Sequence, residues 1–363
     1  MEKSDLLSGC EFFRSGDMFY DTGKASPGFS AEEYVITSKI ILYRNLKDEC
    51  FPICACDKDL CRIRDEVFAG VKQIQRSLRM TFHTAHPDEL SAADREFLVE
   101  RFLQEEVLLD PRHGSGVCVS RDLRSLIGIN GNNHLMLQTF SVGNCFKDHF
   151  RRIHKLDDYL SRKLPFAFSP EYGYLTASPA WAGTGMVFSS LLHLPGLVMG
   201  GQMEKVIQAL EALHFSCSRI YPEDLPDGSL FRLTNRCTLG MTEEELLEKT
   251  ESVIRRLVSH ERKARRILLG TRRDHLLHRI SSAYGLLRHG YRLNTPEVFE
   301  ALGMLLLGLD LKLFNSFTAG TVTDLMFRIQ DGHLQKYYGK KMSDEEKLSA
   351  RASLLRSTFS GKE

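Results

Sequence analysis

The chain has 363 residues, enough for two domains of ordinary size, and its 42% hydrophobic content supports a full core. A formal net charge of +1 argues against a general nucleic-acid binder, and no apolar run approaches the roughly 20 residues that cross a bilayer. Nine cysteines, an odd number, fit reduced thiols better than a disulfide framework, and the polar, acidic start Met1 to Gly9 is not a secretory signal, so a cytoplasmic location is expected.

Residues 1–34 are short mixed stretches broken by Gly16, Gly23, Pro27 and Gly28, and read as an arm. Val35 to Leu46 is rich in β-branched residues and reads as a strand. Cys50, Cys54, Cys56 and Cys61 then crowd together. Their tight, irregular spacing is unlike the paired knuckles of a structural zinc site, so thiols on a turn and the following helix are expected and a metal site is not. Asp65 to Thr81 and Ser91 to Leu109 carry helical periodicity, with Ser91 as the cap of the second. Gly116 to Ser120 and Leu126 to Ile129 read as a hairpin, followed by turn chemistry in Asn130-Gly131-Asn132-Asn133. Asp148 to Leu164 is a helix with Phe150, Ile153, Leu156, Tyr159 and Leu160 on one face.

Phe166, Phe168, Tyr172, Tyr174 and Thr176 alternate like a half-buried strand with a turn in it. Gly183 and Gly185 flank Thr184 in a loop whose backbone can approach a ligand, and Met186 to Leu194 is a buried apolar run stopped by Pro195. Gln202 to Leu213 is an amphipathic helix, and Leu230 to Leu239 a strand. Thr242 and Glu245 form a capping box for a long charged helix, Glu243 to Leu269, whose Glu261 to Arg266 stretch is basic. From Thr271 the chain is helical, with a cap at Asn294-Thr295-Pro296-Glu297 and an apolar helix Val298 to Leu307.

The order Gly173 to Thr176, Ser178-Pro179, Gly183 to Gly185, then His193-Leu194-Pro195 resembles the central signature of the ATP:guanidino phosphotransferases, within them the bacterial protein-arginine kinases. The resemblance runs from about residue 35 to 356. It implies an α+β fold, an antiparallel sheet flanked by helices, over 35–270, followed by a small all-helical domain over 271–363. It also implies ATP and Mg2+ as cofactors, and transfer of phosphate to an arginine guanidinium.

Carried over position by position, the resemblance also marks losses. Of the family's first nucleotide strand, Ser38, Leu42, Arg44 and Asn45 remain, while two phosphate-holding arginines are Lys39 and Ile41. Phe102 stands for a histidine near the adenine. The family's Asn-Glu-Glu-Asp-His-x-Arg is here Asn130, Gly131, Asn132, Asn133, His134, Leu135 and Met136, without its carboxylates or its arginine. Ser178 replaces the reactive cysteine, and Val187 a further phosphate arginine. Arg219 and Glu223 match the arginine and glutamate of the loop that closes over nucleotide, and Asn235 matches the asparagine of an Ile-Ser-Asn strand. In the helical domain, Lys347 and Arg351 match a phosphoarginine-reading helix in which Leu348 replaces an aspartate.

A guanidinium has a pKa above about 12, so its nitrogen attacks only after a base takes a proton, and a carboxylate is the natural base. Arginine grips phosphate bidentately where lysine is a point charge. The substitutions therefore predict a chain that has lost phosphoryl transfer and serves as a scaffold or regulator in protein quality control. Two other readings stay open: an active kinase in which Glu223, Asp224 or Asp227 supplies the base and Arg219, Lys39 and Arg44 hold phosphate, and a phosphate or phosphoarginine reader acting through Lys347 and Arg351. Partners implied by the resemblance are a second copy or an active kinase subunit, a zinc-binding activator protein and a Clp-type unfoldase.

Overall fold

The structure is a computed structural model and describes residues 34–103, 106–109, 112–220 and 228–360. The expected arm up to residue 33 and the proposed base residues Glu223, Asp224 and Asp227 lie outside these residues. The architecture is α+β, with an eight-stranded sheet and a run of helices after it. In chain order the strands are β1 (Val35–Arg44), β2 (Phe82–Ala85), β3 (Gly116–Ser120), β4 (Ser125–Ile129), β5 (Leu135–Val142), the two-residue β6 (Phe168–Ser169) and β7 (Gly173–Tyr174), β8 (Met186–His193), β9 (Phe215–Arg219) and β10 (Leu230–Asn235). The large sheet has the order β2-β3-β4-β5-β1-β8-β10-β9, and β6 pairs with β7 alone.

Two compact units contain the described residues. One comprises Thr37–Ser190 with Thr234–Glu251, the other Leu191–Leu233 with Ser252–Glu363 and the short lead-in from Tyr34.

In the first unit the pairings of β1 with β5, β5 with β4 and β4 with β3 are all antiparallel. Their register sorts the side chains. Ile40, Leu42 and Arg44 share a face with Leu137, Leu135, Ile127 and Ile129, and on it lie the helices α1 (Asp57–Leu78) and α4 (Phe146–Ser161). Gly116 is on this face because any Cβ there would strike Phe68 and Arg64 of α1. Lys39, Ile41, Phe140, Gln138 and Met136 share the opposite face. There α2 (Ala92–Phe102) and the short α3 (Glu106–Leu109) follow one another over the sheet. A Cβ at Gly128 would meet Met136 and Val107, and the carbonyl of Phe102 accepts from Gln138 Nε2 at 3.0 Å.

Several expectations shift. The helix expected from Asp65 starts eight residues earlier, at Asp57, where two first-turn aspartates meet the positive helix end. The helix expected over 91–109 breaks at Leu103, which takes a left-handed φ of 59°. Ser91 caps it as expected, accepting from Asp94 N at 3.0 Å. The aromatic alternation of 166–176 is not half-buried: Phe168 is 59% and Tyr172 49% exposed on the β6–β7 ribbon. Phe150 and Tyr159 lie only partly inside on α4, whose buried face is instead completed by His149 and Asp157.

The second unit contains α5 (Pro195–Met199), α6 (Met203–Ala212), most of α7 (Glu243–Thr271), α8 (Arg273–His289), α9 (Thr295–Asp310), α10 (Ala319–Arg328), α11 (Asp331–Tyr338) and α12 (Asp344–Phe359). Asn294 and Glu297 close a capping box on α9, and Ser343 and Glu346 do the same on α12. The helix α9 is buried nearly all round, which places it at the centre of this unit's core with Leu287, Val322, Leu334, Leu355 and Phe359.

Candidate functional site

Lys39, Ile41, Phe102, Met136 and Val187 gather on the sheet face under α2 and α3, Asn130 to Asn133 at the turn after β4, and Ser178 in the loop before β8, while Ser38, Arg219, Asn235, Lys347 and Arg351 lie elsewhere. Lys39 is 6% exposed, and its ammonium donates to the carbonyls of Phe102 and Leu103 at 3.2 and 3.3 Å. It caps α2 at the break, where helix carbonyls lack intrahelical donors. Ile41 pairs with Gln138 and Tyr43 with Met136, so Lys39, Ile41 and Met136 share one face. Tyr43 N donates to Gly185 O at 2.9 Å, and antiparallel parity from that bond puts Val187 across from Ile41. Ile41 and Met136 are each 8% and Val187 4% exposed. Phe102 is fully buried, edge-on to Phe140 at 6.3 Å. Ile41, Met136 and Val187 are apolar; the polar groups of the face include the Lys39 ammonium and the Gln138 amide, both bonded to the Phe102 carbonyl, and the Arg101 guanidinium, 4.9 Å from the Phe140 ring centre.

Ser38 points to the other face, donating to Gly143 O at 2.7 Å and accepting from Cys145 N at 3.0 Å, which fixes the entry to α4. Arg44, which the active-kinase reading assigns to phosphate, lies on that same face and is 1% exposed. Its guanidinium donates to both oxygens of Asp157 at 3.1 and 2.9 Å, and to the carbonyls of Thr184 and Tyr43 at 2.8 and 3.0 Å. It stacks 3.5 Å from the Tyr174 ring centre, with Glu243 3.5 Å away on its other flank. Burial pushes the Glu243 carboxyl above its ordinary range even beside this cation. Arg44 is the unit's buried hub, and the sequence reading missed its partners Asp157, Glu243 and Tyr174. An acid at an otherwise core-facing helix position, Asp157 between Leu156 and Leu160, was the available signal.

The turn after β4 is tied by amides. Asn130 sits at a left-handed φ of 56°, and its side-chain NH2 donates to Leu60 O and Gly114 O at 2.7 and 2.8 Å. Asn133 Oδ1 accepts from Asn45 Nδ2 at 2.7 Å and from Ala177 N at 2.8 Å, while Asn45 Oδ1 accepts from His134 N at 2.9 Å. His134 Nδ1 accepts from Leu46 N, so its Nε2 carries the proton donated to Cys50 O at 3.0 Å, and burial pushes its pKa down. Asn133 therefore links the turn to the loop bearing Ser178. Gly131 is half-buried and Asn132 exposed. Ser178 is half-buried; its carbonyl accepts from Thr176 Oγ1 at 2.7 Å and from Trp181 N at 3.0 Å.

The Gly183-Thr184-Gly185 loop meets backbone where the sequence suggested a ligand. Both glycines have positive φ, and a Cβ would lie 2.7 Å from Thr238 O at Gly183 and 2.7 Å from Tyr43 O at Gly185. Asn235 is buried, accepting from Phe188 N at 2.7 Å and donating to Met186 O at 3.2 Å, which fastens the start of β8.

Within the second unit, Arg219 is half-buried with its guanidinium 5.6 Å from the Phe231 ring centre, and it lines a small cavity with Ser229, Phe299 and Glu300. Its intended companion Glu223 falls outside the described residues. Lys347 and Arg351 converge on one carboxylate. Lys347 Nζ is 3.1 Å and Arg351 Nη2 2.5 Å from the two oxygens of Asp331, and Arg351, 2% exposed, also donates to Ile329 O and Leu293 O at 2.7 Å each. Asp331 thus stands where the sequence reading expected a phosphate. Cys50, Cys54 and Cys56 are exposed and unlinked, Cys61 lies on α1 with its sulfur 3.7 Å from His113 Nδ1, and no group of metal-ligating side chains forms among the described residues.

Comparison with known proteins gives two family matches. Residues 62–264 match the ATP:guanido phosphotransferase, C-terminal catalytic domain, and residues 273–363 match the protein-arginine kinase McsB C-terminal domain. A protein-arginine kinase of Halothermothrix orenii is 32% identical over 326 residues, spanning 89% of this chain and 92% of its own. One of Halalkalibacterium halodurans is 31% identical over 331 residues, 89% of this chain and 91% of its own. Among solved structures, lombricine kinase aligns with a TM-score of 0.55 at 16% identity over 63% of this chain and 66% of its own. The duplicated taurocyamine kinase of Schistosoma mansoni aligns at 0.54 and 19% identity over 63% of this chain, which spans about a third, 32%, of that duplicated protein. The last two show a shared fold.

Proposed function

This chain belongs to the ATP:guanido phosphotransferase family, with relatives named protein-arginine kinase, and from that premise we propose that it is a protein-arginine kinase homologue that has given up phosphoryl transfer and acts as a scaffold or regulator. One observation carries the reading. On the sheet face where the family places phosphate-holding arginines stand Lys39, Ile41, Met136 and Val187; the ammonium is spent on the carbonyls of Phe102 and Leu103, and the others are buried side chains without a donor. These side chains do not fit a triphosphate. Ile41, Met136 and Val187 offer no donor, and turning Lys39 toward a ligand would strip the end of α2.

The acceptor side supports the same conclusion. A guanidinium needs a base and a counter-charge, and Gly131, Asn132 and Asn133 supply neither. An amide oxygen is far too weak a base, and that of Asn133 already accepts two hydrogen bonds. Arg44 cannot replace the lost arginines without leaving Asp157 buried and unpaired. Losing one preorganised transition-state contact costs about 3–4 kcal/mol, and several are missing together here.

The test is transfer of label from ATP with Mg2+ to an arginine-rich protein, run beside thermal unfolding with and without ATP and Mg2+. The expected result is no phosphoarginine and no stabilisation by nucleotide. Phosphoarginine formed above the level of an Arg219→Ala control would overturn the proposal and favour catalysis by substitute residues.

A further inference from the structure

Independently of any phosphoryl chemistry, the second half of α7 and the start of α8 carry a charge distribution that an ordinary solvated helix face does not. Such faces interleave both signs. Between Arg255 and Arg279 the acids are Glu261 and Asp274, and Glu261 is fully buried, bonded to Arg265 and to the N–H groups of Gly196 and Leu197. Arg256, Lys263, Arg266, Arg272 and Arg273 are exposed, and none has a side-chain partner among the described residues. Arg62 meets Glu49 and Glu66, and Lys340 meets Glu346, but Lys163, Lys205 and Arg236 are also exposed without a side-chain partner among the described residues, so the ridge is set apart by its run of cations with Asp274 as the one exposed acid. The helix dipole favours cations only in the last turn, and Arg256 and Lys263 lie well before the end at Thr271.

Helical spacing puts Arg256, His260, Lys263 and Ile267 on one stripe, with Arg266 beside it. Ile267, 59% exposed, puts aliphatic surface on that stripe among the cations, while Leu269, two residues on, faces away from it. No Phe, Tyr or Trp occurs from Glu243 to Ala283, which removes the large stacking platforms of single-stranded nucleic-acid sites. Unpaired cations with an aliphatic side chain among them match a peptide that alternates carboxylates with apolar residues.

We propose that the Arg256–Arg273 ridge is a docking surface for an acidic, leucine-rich or isoleucine-rich segment of a partner protein. Its carboxylates would meet the arginines and lysine, and its aliphatic side chains would cover Ile267. Attraction between exposed charges of this kind speeds association and weakens with added salt.

The test uses the full chain and a short fluorescent peptide alternating glutamate with leucine, read by anisotropy at low and at physiological ionic strength. An oligonucleotide of equal charge and vesicles rich in anionic lipid are run in parallel. Peptide binding is expected, weakening as salt rises, and falling by about tenfold or more when Arg256, Lys263, Arg266 and Arg273 are all changed to Glu. The same four changed to Gln give a milder loss in a variant without new charge, and its unchanged thermal unfolding shows that the fold is intact. The proposal is overturned if the peptide does not bind, if binding survives in both variants, or if the oligonucleotide or the vesicles bind more tightly than the peptide.

Discussion

Arg44→Ala separates a structural cation from a phosphate ligand. The wild-type guanidinium is 1% exposed and holds both oxygens of Asp157, whose side chain is 10% exposed. Removing one partner of a buried pair leaves an uncompensated charge and costs about 3–5 kcal/mol. Loss of the Tyr174 contact adds about 1–2 kcal/mol, since that stacking is also desolvated. The terms overlap, so we expect a total of about 4 kcal/mol and take about 3 as the floor. For a domain of this size each kcal/mol moves the midpoint by about 2–4 °C, giving a drop of about 8–16 °C. Urea unfolding can be followed through Trp181, the single tryptophan, which lies in the same unit. The double variant Arg44→Met with Asp157→Leu removes both charges and is expected to recover more than half the loss. A penalty below the floor of about 3 kcal/mol for Arg44→Ala would refute the buried-hub account and return Arg44 to the ligand-binding candidates.

Lys39→Met deletes the donor to the Phe102 and Leu103 carbonyls, and is expected to cost about 1–3 kcal/mol in urea titration without changing any response to ATP; a neutral result would mean the α2 break needs no cap. Burial beside Arg124 and Arg152 pushes His149 down to about 3. The unfolded imidazole takes up a proton near pH 6.5 and the folded one does not, so stability is full above that value and falls by about 2 kcal/mol on reaching pH 5. His149→Gln should flatten that slope, and an unchanged slope would assign it to other groups. Asp331→Ala strips the counter-ion from Arg351 and is expected to destabilise the helical unit by about 3 kcal/mol, with partial rescue by added inorganic phosphate. Wild-type protein should give no heat with phosphoarginine, and clear calorimetric binding would show that Asp331 yields the site.

What the sequence disclosed was largely local. Period-two and period-3.6 patterns located β1, the β3–β4 hairpin, α4, α6 and α9, and short-range capping chemistry located the starts of α2, α7 and α9 within a residue. The ordered motif from Gly173 to Pro195 placed the chain in its family, as the two family matches bear out. The α2 break at Leu103 was hidden because it depends on Lys39, sixty residues upstream in the chain, reaching those carbonyls. The Arg44 hub was hidden for the same reason, being assembled from five separate segments. The glycines around Thr184 read as room for a ligand because a positive φ signals close approach without saying to what; here the neighbours are Tyr43 and Thr238.

The turn between β4 and β5 is closed by amides and a neutral imidazole. These groups carry no net charge, and the field of a neutral dipole falls off more steeply with distance than that of a charge, so the latch itself projects little field into solvent. An arginine-bearing chain drifting toward it gains little electrostatic acceleration from it. The latch itself would leave its encounter rate at the unsteered level of about 10⁵–10⁶ M⁻¹s⁻¹, whereas a row of carboxylates in the same place would act as a funnel weakened by salt.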